Sequence, residues 1–132
     1  MSQEDIELFL IDLSARLMYG VICQVDDGAA GLNDGKLIEI DTSKELARFD
    51  ADYYWDAYID DIKPYLRPMS SMTEEEKKEY HKTFRAEAYG NGYVYVESVH
   101  SFDWLNKHNF DYRGLIEKGL AIAVTEENNP YE

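Results

Sequence analysis

Cysteine, proline, histidine and basic residues are all scarce in this chain, and each shortage closes off a class of protein. Its single cysteine, Cys23, leaves no internal disulfide and fits a reducing compartment. No apolar run reaches the roughly eighteen residues that a membrane-spanning helix needs. The stretch Phe9 to Leu13 is interrupted by Asp12 and preceded by acids, so it does not read as a secretory signal. Lys and Arg number 13 against 27 Asp and Glu, a net charge of −14. Such a field repels phosphate backbones and anionic lipid, which argues against direct nucleic-acid binding and against a membrane surface. It attracts a basic protein surface, although solubility alone also explains it.

Metal and cofactor motifs are missing as well. The acids of Asp26-Asp27-Gly28 and Asn33-Asp34-Gly35 lack the alternate spacing and closing glutamate of a calcium loop; turn chemistry explains them. His81, His100 and His108 show no ligand spacing, and no second cysteine stands in register with them. Gly90-Asn91-Gly92 is followed by no Lys-Ser/Thr pair, so it is not a phosphate loop. No Ser, His and Asp spacing suggests a catalytic triad, and Cys23 reads as a packing residue. No cofactor is expected.

The remaining sequence carries 45% apolar residues, enough for one real core in 132 residues. Ser2 to Met18 reads as a helix, with Ser2 as its cap and Asp5 three residues on. Ile6, Leu10, Leu13 and Leu17 mark one apolar face widened by Phe9, and Asp12 pairs with Arg16 on the wet side. Gly20 ends the helix. Strands follow at Val21 to Val25 and at Lys36 to Asp41; Thr42 with Glu45 also suits a helix start, but the aromatics favour strands near 45–49 and near 53–59. Pro64 and Pro68 make their segment an extended linker, without the donors of a central strand. Thr73 and Glu76 form a capping box for a largely solvated helix. Tyr89 to Tyr93 is a turn before a strand from Tyr93 to Val99. Ser101 caps a short helix, and Asp111 caps another that ends at Gly119. Leu120 to Val124 is a short buried strand, and the tail from Glu126 to Glu132 is frayed.

The expected fold is therefore α+β. An N-terminal amphipathic helix packs on a small antiparallel sheet, followed by a solvated helix and a C-terminal pair of short helices. One domain covers 1–132, with a subdivision near 62–72 left open.

Three stretches carry a resemblance: LSARLMYGVICQV (13–25), DIKPYLRPMSSMTEEEKKEY (61–80) and DWLNKHNFDYRGLIEKGLA (103–121). Together they resemble small proteins encoded by phages and prophages of gut Bacteroidota. The resemblance implies a mobile-element setting and the cytoplasm of a bacterial host cell, and it implies no chemistry.

Function is sought where charge and aromatics coincide. Residues 1–66 hold 15 acids and 5 bases, a net of −10, whereas 67–132 hold 12 and 8, a net of −4. Within the acidic half, Asp52, Tyr53, Tyr54, Trp55, Asp56, Tyr58, Asp60 and Asp61 form the candidate surface for a protein partner. The preferred reading is a non-enzymatic accessory protein that binds another protein. One alternative is a nucleic-acid mimic that blocks a DNA- or RNA-binding protein, which requires acids arrayed along one face. The other is a metal-dependent hydrolase using Asp56, Asp60 or Asp61, which requires these carboxylates to converge in a cleft.

Overall fold

A computed structural model describes residues 1–50 and 55–132. Helix α1 (Gln3–Arg16) starts where the Ser2 hydroxyl accepts the Asp5 amide at 3.1 Å. It ends through one 3-10 turn at Gly20, whose φ of 72° suits a residue without Cβ. Strands β1 (Ile22–Asp26), β2 (Leu32–Asp41), β3 (Leu46–Asp50), β4 (Trp55–Tyr58) and β5 (Ile62–Leu66) follow. Then come α2 (Glu74–His81), β6 (Arg85–Tyr89), β7 (Gly92–Val96), α3 (Val99–Lys107) and β8 (Ile122–Ala123). The class is α+β, with an N-terminal helix and a mixed sheet. Among the described residues no helix is long and apolar enough to cross a membrane.

The main sheet runs β4-β3-β2-β1-β5-β8, and β6 pairs with β7 in a separate hairpin. The sheet is not purely antiparallel as expected, because β8 lies parallel to β5 through Tyr65↔Ile122 and Leu66↔Ala123. The Pro64 segment is not a linker either. It is part of β5, with Pro64 in register with Cys23 of β1. Its missing donor is tolerated because β8 pairs only beyond it, leaving that side of the ladder open at the proline. Asn33 to Gly35 lie within β2 and not in the expected turn.

The main core gathers Phe9 and Leu13 with Val21, Cys23, Val25, Leu37, Phe49, Ile59, Ile62, Leu66 and Leu115. Burial pushes the Cys23 thiol far up, so it stays protonated and packs as an apolar group. On α1 the fully buried line is Phe9, Asp12, Leu13 and Arg16, while Ile6, Leu10 and Leu17 are only half-buried. The Asp12–Arg16 pair therefore forms, but inside the protein and not on the wet side. The two charges face one another at 2.9 and 3.1 Å, and Arg113 reaches the same carboxylate at 3.0 Å. Arg16 also donates to the Phe110 carbonyl at 2.7 Å, which ties α1 to the C-terminal segment.

A second cluster holds Met72, Tyr80, Leu105 and Phe110, flanked by Phe84, Trp104 and Tyr112. The Thr73 and Glu76 capping box opens α2 as expected. The next helix starts earlier than expected. Ser98 precedes α3, and Ser101 sits buried inside it, accepting the Ser98 amide at 2.9 Å. Only one helix of the expected C-terminal pair forms. After α3 the Asp111 carboxylate accepts the amides of Leu115 and Ile116, both at 2.9 Å, and holds a series of turns. The tail is anchored, not frayed: the Tyr131 hydroxyl accepts the Ile22 amide at 3.1 Å and donates to the Tyr65 carbonyl at 2.8 Å.

Candidate functional site

The acidic region is shaped by one connection. From β4 the chain passes through a single 3-10 turn, Ile59–Asp61, straight into β5. Because β5 pairs with β1 in the register Val25↔Ile62, Asp61 arrives beside the end of β1. The result is a groove of about 350 Å³ lined by Asp26, Asp27, Asp56, Tyr58 and Asp61, with Val25 and Ala57 below. All four carboxylates are exposed, and Tyr58 is 62% exposed.

Three of the four acids have no charge partner among the described residues. Among the described residues no ion pair involves Asp26, Asp27 or Asp61. Asp26 accepts the Gly28 amide at 2.9 Å, which fixes the turn. Asp56 is different. Arg48 binds it at 3.0 Å and Glu39 at 3.0 Å, so β2, β3 and β4 carry an alternating Glu39–Arg48–Asp56 ladder on the outward face.

Of the residues chosen from sequence, Asp56, Tyr58 and Asp61 meet in this groove. Asp60 does not line it; its carboxylate faces the Met1 amino group at 3.8 Å. Asp52, Tyr53 and Tyr54 lie outside the described residues, as does the side chain of Trp55. Asp26 and Asp27 were missed as contributors, since an Asp-Asp-Gly triplet is fully accounted for by its turn and only the β1–β5 register reveals its neighbours. No family model, curated protein or solved structure matches the chain.

Chemically, an open, hydrated acidic groove beside a tyrosine favours a cationic side chain, through charge and through the ring face. Among the described residues no three His, Cys, Asp or Glu side chains are placed to hold a metal ion. A second, larger groove of about 760 Å³ includes Arg67, Lys107, His108 and Tyr131. Its arginine is already committed. Arg67 grips Glu76 with two bonds of 2.7 Å and lies 4.2 Å over the Phe110 ring. Burial holds His108 below the ordinary histidine range.

Proposed function

We propose that this is a non-enzymatic, acidic, phage-type accessory protein of the bacterial cytoplasm that binds a basic surface on another protein. The observation that carries the reading is the groove in which Asp26, Asp27 and Asp61 lie together without cationic partners among the described residues, beside exposed Tyr58. Carboxylates so placed steer a basic partner and accept its Lys or Arg side chains at little desolvation cost. A nucleic-acid mimic needs an unbroken array of acids. Protein binding is preferred because Arg48 stands between Glu39 and Asp56, and Lys36 faces Asp50 across the strands.

The test is affinity capture from host lysate at low and high salt. The baits are the wild type, an Asp27→Lys/Asp61→Lys variant, and Asp60→Lys as a charge change outside the groove. The wild type and Asp60→Lys should enrich the same basic protein at low salt. The groove variant should lose roughly tenfold or more of that capture, as should the wild type at high salt. Equal capture by all three baits, or none above background at low salt, would reject the reading.

A further inference from the structure

The β6–β7 hairpin stands apart from both cores. Every residue of β6 is exposed, and in β7 only Val96 is partly covered. Its base is firmly held: Ser98 donates to the Thr83 carbonyl at 2.7 Å, and the Tyr80 hydroxyl donates to Glu97. Its tip is a two-residue turn with Gly90 at φ 61°, a conformation that twists correctly for a hairpin. Yet a two-stranded sheet with water on both faces is marginal by itself and gains stability when a face is covered.

Register sorts the side chains sharply. Ala86↔Tyr95 and Ala88↔Tyr93 share one face, and Arg85, Glu87, Tyr89, Val94 and Val96 share the other. Arg85 and Glu87 neutralise each other at 2.7 Å on that second face. Within the strands the first face carries no charge, with Tyr93 73% and Tyr95 71% exposed beside two alanines; the nearest charge in that alternation, exposed Glu97, lies just past β7 and accepts the Tyr80 hydroxyl.

We infer that this alanine–tyrosine face is where the protein pairs with a second copy of itself. Two arguments select that occupant. The strand face itself offers no electrostatic handle to a charged partner, and with Glu97 at its base already hydrogen-bonded to Tyr80 it is a patch on which two chains of −14 can meet with few opposed carboxylates. The face is also self-complementary. A two-fold axis along the strands lays Tyr95 over the second copy's Ala86 and Tyr93 over its Ala88, and the reverse pairs follow by symmetry. Bulk meets gap at all four positions. Four tyrosines that each bury on the order of 150–250 Å² total roughly 600–1,000 Å², below the roughly 1,200 Å² of a stable specific interface, so the dimer is weak and reversible.

Sedimentation equilibrium over a wide concentration range tests this. The weight-average mass of the wild type should climb from 15.3 kDa toward twice that value. Raising the salt should tighten the dimer, because it screens the repulsion between the two acidic bodies. That is opposite in sign to the effect on capture by the acidic groove, so the two ideas fail separately. Tyr93→Glu/Tyr95→Glu should remain monomeric, and so should Ala86→Glu, which introduces its charge on the same face from the other strand. Tyr89→Glu, on the opposite face, should dimerise like the wild type. A wild type that stays at monomer mass at its solubility limit would overturn the inference. So would undiminished dimers from the Tyr93→Glu/Tyr95→Glu and Ala86→Glu variants, or masses climbing past the dimer, which would indicate open-ended edge pairing.

Discussion

Two ion networks of similar composition occupy opposite environments in this protein. Around α1, Asp12 is clasped by Arg16 and Arg113, and the Asp12 and Arg16 side chains are 0% exposed. On the outer face of the sheet, Arg48 is clasped by Asp56 and Glu39, with exposures of 46%, 51% and 58%. The bond lengths are nearly the same, between 2.9 and 3.1 Å. What differs is the alternative available to each charge if its partner is removed. An outward charge returns to water. A buried one has nowhere to go, and in α1 even the intact network leaves the Arg16 Nη1 without a protein partner among the described residues. Geometry alone therefore says little about what a salt bridge contributes.

The largest effect should follow from breaking the inner network. Asp12→Ala leaves the Arg16 guanidinium buried and unpaired, and should cost about 3–5 kcal/mol in urea unfolding. Replacing the pair together, as Asp12→Leu/Arg16→Met, removes both desolvated charges and should recover most of that loss. A single-variant cost below about 1 kcal/mol would place the inner network on the same footing as the outer one, and the comparison would collapse.

The same pair marks the limit of what could be read in the sequence. Spacing of four along a helix announces that Asp12 and Arg16 meet, and it does so identically on a wet or a dry face. Which face was dry depended on Arg113 and the Phe110 carbonyl, about a hundred positions away. Local signals were legible: the Ser2 cap, the Thr73–Glu76 box and left-handed Gly119 all depend on a few neighbouring residues. The strands from β1 to β4 were legible in outline. Strand β6 was not, because Arg-Ala-Glu-Ala is helix-favouring sequence that takes strand form only by pairing with β7. The parallel β5–β8 contact was likewise invisible, since nothing local specifies a partner so distant. At the candidate site, Asp56, Tyr58 and Asp61 could be chosen from composition. Asp26 and Asp27 required the sheet register.

An intermediate case sharpens the contrast. Glu76 and Arg67 make a two-pronged bridge at 2.7 Å with side chains 19% and 25% exposed. The Arg67 guanidinium, helped by the Thr73 amide, holds the Glu76 carboxyl down at about 2, below an ordinary value of 4.5. Because the folded-state value is depressed, the bridge stabilises fully above the unfolded value. That contribution fades as pH falls from about 4.5 through about 2. With allowance for partial hydration, Glu76→Gln should cost about 1–2 kcal/mol at neutral pH, and the gap to the wild type should close toward pH 2. A gap that stays constant over that interval would mean that the bridge does not control the titration.

The smallest effect belongs to the outer ladder, where two opposing terms meet. Glu39→Gln removes one of the carboxylates that Arg48 meets among the described residues. Exposed pairs of this kind contribute roughly 0.2–1 kcal/mol, and Arg48 keeps Asp56 in any case. The substitution also takes the net charge from −14 to about −13, which relieves self-repulsion in the folded state. Both terms are Coulombic, lie in water and decline with salt. The net change should therefore stay within about 0.5 kcal/mol of zero and shrink further as salt is added. A loss above about 2 kcal/mol that persists in high salt would show that the ladder is shielded from solvent as the inner network is. Burial would then no longer separate the two, and the outward sheet face would have to be treated as a second interior.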